Sequence, residues 1–285
     1  MIGHYGVNGT YPCHMCKVSQ KDLSDHTLDV NKLRRDLEET KREMLNVRST
    51  YLVKGGKTAA KLKEKQISIK CTKSLPPIWW LEEFNPLFHS PLCWMHNHPL
   101  GLLKRILLNF ALIYSQGSQR SAQKWTFINN VNLSVKRYPH FCGLKRLSGK
   151  IFQIANNTPS PAVLSADEYT VFLRMSPTFF YKFLSPVHFQ FWMDYVNLCM
   201  LVTKKTFETQ EIEKVTRMAR TVIKGYVDVF RPHQKLGISL NFWNLHANLH
   251  LAEWIRLLGP IWLYNTGRGE RHHVLQKTFA TLSKH

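Results

Sequence analysis

Two pairs of soft side chains lie at opposite ends of this 285-residue chain. Near the start, Cys13 and Cys16 are two residues apart in the short turn-forming segment 11–16. Near the other end, His246 and His250 are four residues apart, a spacing that puts both imidazoles on one face of a helix. Two cysteines and two histidines form a ligand set for tetrahedral zinc. A shared zinc ion would require the two ends of the chain to meet.

Each half of this ligand set also has a simpler interpretation. The CxxC pair is compatible with redox chemistry, but no βαβ pattern of the kind that such chemistry uses surrounds it. Two unliganded thiols in a turn remain an alternative, and each of the 14 histidines, taken alone, is more often a surface or packed residue. The six cysteines show no dense disulfide framework, which favours a reducing compartment.

The charge balance indicates a polyanion partner. The chain has 39 Lys and Arg against 19 Asp and Glu, a net charge of +20, which is far more than solubility requires and most simply indicates nucleic acid. Residues 54–73 hold seven Lys and one Glu, and residues 84–166 hold nine Lys and Arg with no acid. The phosphate-contacting residues we expect are Lys54, Lys57, Lys61, Lys63, Lys65, Lys104, Arg105, Lys136, Arg137, Lys145 and Arg146.

Hydrophobic periodicity predicts a mainly α-helical protein with few short strands. The predicted helices cover residues 28–49, 100–114, 165–184, 188–202, 209–230 and 241–258, with a last helix from Glu270 to about Leu282. The best strand candidates are 66–71 and 148–154, residues 54–73 are interpreted as a basic, mobile connector or a groove-facing arm, and 156–161 as a loop. We expect no signal peptide and no membrane span.

Two further motifs have alternative interpretations. Cys93 and His96, followed by Asn97 and His98, resemble a fragment of an HNH-type nuclease only weakly, and a polar junction before a helix that starts near Pro99 is simpler. Glu270 stands at the start of a predicted helix. It is either a first-turn acid that complements the helix dipole or a metal-binding carboxylate aimed into a cleft.

In their order along the chain, these motifs resemble those of nuclear DDE-type cut-and-paste transposases of the CACTA and KDZ groups. In that family a CxxC follows the second catalytic Asp, a C/DxxH element precedes N-x-x-x-G-x-x-K/R, and a His-rich helix leads through GP-W to a Glu helix. The arrangement is also similar to that of Transib transposases and the V(D)J recombinase, in which a CxxC and a His pair hold one zinc ion. The matching positions are Gly3, Cys13, Cys16, Cys93, His96, Asn97, Gly101, Lys104, Arg105, His246, His250, Gly259, Pro260, Trp262, Glu270, Arg271 and Leu275.

The resemblance implies a role for each motif. Glu270 would be the third catalytic acid, the CxxC and His pair would bind structural zinc, and Cys93 with His96 would support the active site. The family uses three carboxylates on a ribonuclease-H-like sheet to hold two Mg²⁺ ions. Two of these acids precede the CxxC, whereas the first acid of this chain is Asp22. The chain therefore resembles the C-terminal part of a transposase, with the catalytic sheet largely missing.

The resulting hypothesis has three consecutive segments. Residues 1–75 would form the zinc turn, an amphipathic helix and the basic connector, residues 76–240 the helical insertion, and residues 241–285 the His-pair and Glu helices. We expect a nuclear, transposase-derived protein that binds double-stranded DNA and is catalytically incomplete as it stands. We expect no membrane partner and no small-molecule substrate, and self-association is left open.

Two alternatives remain at this point. The chain would be part of an active Mg²⁺-dependent nuclease and strand transferase if two Asp residues upstream completed the site. It would instead be a zinc-stabilised protein-interaction module if the Trp-rich segment 78–94 were its contact surface.

Overall fold

A computed structural model describes residues 9–53, 55–72, 75–91, 93–116, 125–138, 147 and 149–264. These residues are mainly helical, with one two-stranded sheet, which confirms the predicted mainly α class. Glu270 and its predicted helix lie outside the described residues, as do Lys54, Lys145 and Arg146. No helix within the described ranges is both long enough and apolar enough to cross a membrane.

The helices and strands follow one another in this order. The α-helices are α1 Leu37–Leu52, α2 Lys57–Ile67, α3 Trp94–Asn97, α4 Leu103–Gln116, α5 Thr126–Arg137, α6 Ala166–Met175, α7 Pro177–Phe180, α8 Pro186–Val202, α9 Thr209–Phe230, α10 Trp243–His246 and α11 Leu251–Leu258. The strands β1 Phe152–Ala155 and β2 Thr158–Pro161 lie between α5 and α6. Short 3₁₀ turns cover Gln20–Asp22, Pro77–Trp80, Arg231–Leu236, Ala247–His250 and Ile261–Leu263, and a π-helical turn covers His98–Leu102.

The described residues divide into two compact units. The first unit combines the chain up to Pro91 with Ile212–Lys224 and Ser239–Gly259. The second unit contains Leu92–Glu211, Gly225–Ile238 and the described residues from Pro260 onwards. The three consecutive segments of the sequence hypothesis stay a prediction. The first unit draws on both ends of the chain.

The first unit is built on the pair α1 and α2. Asp36 caps α1 by accepting a hydrogen bond from the Glu39 backbone N–H, so this helix begins later than the predicted helix 28–49. The predicted mobile connector was wrong, because most of residues 54–73 form α2, and the alternative of a groove-facing arm stays a prediction. The shared core of this unit consists of Met44, Val47, Ala60, Ile69, Cys71, Trp79 and Leu87. The predicted strand 66–71 was also wrong, since α2 runs to Ile67 and Ser68 then takes a left-handed conformation with φ 63°.

The second unit has an aromatic core and one hairpin. Strands β1 and β2 pair antiparallel, and Asn156 and Asn157 form the turn with φ of 49° and 59°. Two such positive φ angles match the right-handed twist of a hairpin, so the predicted loop 156–161 is a turn followed by a strand. The predicted helix 165–184 is interrupted near Ser176, where α6 ends and α7 begins with Pro177.

The longest helix, α9, spans the predicted residues 209–230. The apolar residues along one face of this helix were sufficient to predict its bounds from the sequence alone. Glu208 is the N-cap residue, and it exchanges hydrogen bonds with Glu211 in a capping box.

Trp192 is the central side chain of the aromatic core, so truncating it tests how that core stabilises the second unit. It is fully buried, its ring packs on Phe110, Phe172 and Phe180, and its indole Nε1 donates to Ser176 Oγ at 3.0 Å. Trp192→Ala should lower the free energy of unfolding by about 3–5 kcal/mol, because it leaves a cavity in the aromatic core. The matched control Val163→Ala, at a position 89% exposed, should change it by less than about 0.5 kcal/mol in the same chemical denaturation measurement.

Candidate functional site

The Cys13, Cys16, His246 and His250 side chains meet inside the first unit. Cys16 Sγ lies 3.3 Å from His246 Nε2 and 3.6 Å from His250 Nε2, and Cys13 Sγ lies 3.5 Å from His250 Nε2. The four ligand atoms are all within 4.8 Å of one another. The structure thus brings together the complete ligand set that the sequence predicted from opposite ends of the chain.

These distances fit a single tetrahedral zinc ion. Bonds of about 2.3 Å to sulfur and about 2.0–2.1 Å to nitrogen give a sulfur-to-nitrogen edge of about 3.5 Å in a regular tetrahedron. The three Sγ-to-Nε2 distances, 3.3 to 3.6 Å, lie close to that edge. All four residues are at most 1% exposed, and each directs one soft donor atom inward. The donor chemistry and the spacing both suit a closed structural zinc site.

The electrostatics of the cluster favour metal-binding protonation states. The pKa of Cys16 is lowered to about 2, chiefly by the hydrogen bond with the Cys13 thiol and then by those with the two imidazoles. Burial raises the pKa of Cys13, so one proton is retained by the pair. Burial also lowers the pKa of His250, which keeps its imidazole neutral. Thiolate and neutral imidazole are the forms that bind zinc, and a bound cation would displace the remaining thiol proton.

The CxxC turn is held in place by the segment that precedes α1. Lys17 N donates to Leu33 O at 2.7 Å, and Arg35 N donates to Met15 O at 3.0 Å. Within the turn, Met15 N donates to Cys13 Sγ at 3.3 Å. These hydrogen bonds fix the backbone of the turn that carries both thiols.

The histidines are carried by a broken helix rather than the single predicted helix 241–258. His246 ends α10, and His250 ends the 3₁₀ turn that leads into α11. His250 Nδ1 faces Glu253 Oε2 at 3.5 Å, and Glu253 is also ion-paired with Arg34. A carboxylate on the outer nitrogen orients the ring so that Nε2 points to the metal. Sequence reasoning missed Glu253, although its position three residues after His250 was a usable signal.

Cys93 and His96 lie in the second unit and outside this cluster. Cys93 is half-buried at the start of α3, and His96 is exposed. Their assignment as active-site support stays a prediction. The helix expected near Pro99 begins at Leu103, after the π-helical turn.

Asn97 and His98 are the buried residues of this motif, and His98 is the one that can titrate. Its ring stacks on Trp94 with centroids 4.0 Å apart, and its Nδ1 lies 3.5 Å from the Tyr195 hydroxyl. Burial lowers the pKa of His98 to about 3, so the imidazole is neutral. Sequence reasoning noted His98 without giving it a role, because its partners come from α8.

The predicted phosphate-contacting residues differ in their exposure. Lys57, Lys61, Lys63 and Lys65 are all exposed on α2, and Lys136 and Arg137 are exposed at the end of α5. Lys104 and Arg105 are only half-exposed, and the Lys104 ammonium lies 5.4 Å from the centre of the Tyr169 ring. The four lysines of α2 are therefore better placed to reach a phosphate than Lys104 and Arg105.

The only acid of α2 does not reduce the positive charge on the exposed face of this helix. Glu64 is buried, and its carboxylate accepts hydrogen bonds from the backbone N–H groups of Cys71 and Thr72 at 2.5 and 2.7 Å. The Thr72 hydroxyl donates to the same oxygen at 2.9 Å. With Glu64 turned inward, the exposed face of α2 carries lysine charge alone. Lys57, Lys61 and Lys65 follow one another at intervals of four residues along one flank of the helix.

Zinc content tests the ligand cluster. The purified full chain should contain close to one zinc ion per molecule by elemental analysis, and Cys13→Ser combined with Cys16→Ser should remove it, since two thiolates supply half of the ligands. Cys93→Ser, which changes a thiol outside the cluster, should leave the zinc content unchanged. A folded wild-type protein without metal would contradict the site.

Glu253→Gln tests the outer carboxylate. The change keeps the shape of the side chain but removes the charge that orients His250, so zinc affinity in a chelator competition should fall about 10- to 100-fold. Glu213→Gln is a matched control in the same unit, because Glu213 pairs with Arg256 and is no part of the ligand cluster. Equal zinc affinity in the two variants would show that Glu253 has no such role.

Comparison with known proteins supplies no relative for this chain. No family model, no curated protein and no solved structure matches it. The function must therefore be argued from the metal-ligand cluster and the charged surface of the chain itself.

Proposed function

We propose that the chain is a zinc-stabilised DNA-binding protein derived from a DDE transposase and corresponding to its C-terminal part. One observation carries the proposal. The four residues to which the transposase resemblance assigns a zinc ion lie at opposite ends of the chain, and their ligand atoms lie within 4.8 Å of one another. This convergence supports a shared structural zinc site, which is the part of the resemblance on which the geometry bears.

The chemistry of the cluster supports a structural role for the metal. Among the described residues, the one group suited to hold a metal ion consists of two sulfur and two nitrogen donors. Such donors select zinc, whereas the Mg²⁺ of phosphoryl transfer needs oxygen ligands. A closed set of four protein ligands also leaves no position for substrate. The proposal is therefore DNA binding without catalysis by the described residues, in a nuclear protein with a ribonuclease-H-like ancestry.

The basic surface of the protein indicates its binding partner. The net charge of +20 and the acid-free lysine face of α2 match the regular negative charge of a DNA duplex. Lysine ammonium groups contact phosphate without reading base sequence. We therefore expect binding to double-stranded DNA of any sequence, with an affinity that depends strongly on salt.

Salt dependence tests this partner. Fluorescence anisotropy with a labelled duplex should show binding that weakens from low to moderate salt, with a slope of log affinity against log salt of about −3 or steeper. That slope corresponds to three or more phosphate contacts, because each contributes about −0.9. A duplex of unrelated sequence should give the same slope, and a slope near zero would overturn the proposal.

A second candidate function rests on the exposed apolar residues of the first unit. Trp80, Leu81, Leu52 and Leu62 are each at least 42% exposed, as a protein-interaction module would require. The measured affinity for DNA distinguishes this candidate from the first. It predicts a zinc-containing protein whose affinity for DNA is weak and insensitive to salt.

A further inference from the structure

The guanidinium of Arg35 is buried in the first unit, with only 2% of the residue exposed. Its Nε donates to Cys13 O at 3.2 Å, one Nη donates to Ile67 O at 3.0 Å, and the other donates to Tyr11 O at 3.3 Å. The same cation lies over the Tyr11 ring, 5.6 Å from its centre. Arg35 therefore holds three main-chain carbonyls from two separate segments in one fixed arrangement.

Those carbonyls belong to the two functional elements of the unit. Cys13 is one of the four zinc ligands, and Ile67 is the last residue of the lysine helix α2. The carbonyls at the end of a helix lack intrahelical partners and carry partial negative charge, so a cation placed there stabilises the helix end. One side chain thus connects the metal centre to the helix that we assign to DNA.

Further hydrogen bonds run in parallel with this connection. Thr10 N donates to Lys65 O at 3.2 Å, and Tyr11 N donates to Ser68 Oγ at 2.8 Å. The segment that leads into the CxxC turn is therefore bound to the C-terminal end of α2 over several residues. If the turn were released from the metal, these contacts would lose their anchor on the Cys13 side.

We propose that Arg35 is a positioning residue that couples zinc binding at Cys13 and Cys16 to the placement of helix α2, so that zinc loading strengthens the binding of duplex DNA. This inference rests on the proposed function. Coupling between two sites is reciprocal. DNA binding must therefore raise the affinity for zinc by the same factor by which zinc raises the affinity for DNA.

The test compares duplex affinity of the full chain with zinc bound and after removal of zinc by a chelator. For the wild type we expect zinc removal to weaken binding about tenfold, within the usual range of coupling between sites. Arg35→Gln should still bind zinc through its four intact ligands, but its duplex affinity should be nearly the same with and without the metal. Arg35→Lys should also lose most of the effect, because an ammonium cannot span the three carbonyls.

Arg220→Gln is the matched control. Arg220 also donates to two main-chain carbonyls in the same unit, those of His26 and Leu28, but not to the CxxC turn or α2. This variant should keep the tenfold effect of zinc. If Arg35→Gln kept it as well, the coupling role of Arg35 would be refuted.

Two further measurements apply even if the Arg35 variants fold poorly. In the wild type, zinc affinity measured by chelator competition should rise about tenfold when saturating duplex is added. The triple change Lys57→Glu, Lys61→Glu and Lys65→Glu should abolish this rise while zinc still binds. A wild-type chain that binds duplex in a salt-dependent way, equally well with and without zinc, would refute the coupling but not the proposed function. A chain that binds no duplex at all would refute both.

Discussion

The convergence of four zinc ligands from the two ends of the chain is the constraint on which the first unit depends. Its CxxC turn and its His pair are separated by 230 residues, counted from Cys16 to His246. Closing a loop of that length has an entropic cost that grows only slowly with length, and a metal ion that binds the folded ligands offsets it. The unit is assembled from three separate stretches of sequence. A zinc ion at this point would bind the first stretch to the last one.

Packing in the same unit also determines which charged side chains face the solvent and which are buried. The lysines of α2 face outward because Ala60 and Glu64 face inward, and the Glu64 carboxylate is occupied by backbone N–H groups of the segment after the helix. Arg35 is the opposite case, a cation turned inward that binds carbonyls at the end of α2. Because the one acid of α2 is buried, the exposed face of this helix carries positive charge alone. The basic surface is therefore a product of internal packing as much as of composition.

The sequence was sufficient wherever a single chemical or periodic signal dominated. Helix α9 has a continuous apolar stripe, and the zinc ligands share a donor chemistry that few other residues offer. Helix α2 was misinterpreted because its lysines suggested a mobile connector, although Ala60, Glu64 and Ile67 have helical spacing. Strand β2 was missed because it contains two prolines, which a two-stranded hairpin tolerates at its edge. The roles of Arg35 and Glu253 could not be predicted, since their partners are distant in sequence or depend on the broken helix.

The two units rely on different sources of stability, and this bears on what the metal controls. The second unit packs Phe110, Phe172, Phe180 and Trp192 against one another, so its core is formed by aromatic burial. In the first unit, the cluster around Met44 and Trp79 holds α1 and α2 together, whereas the CxxC turn is attached through the buried Met15, the His14 ring on Trp254, hydrogen bonds and the ligand set. Hydrogen bonds to main-chain carbonyls contribute little net stability individually, so a metal ion bound by all four ligands would add to the stability of the turn more than to that of the helices. Zinc loss would thus first affect the contact between the turn and the end of α2, and both helices would remain folded.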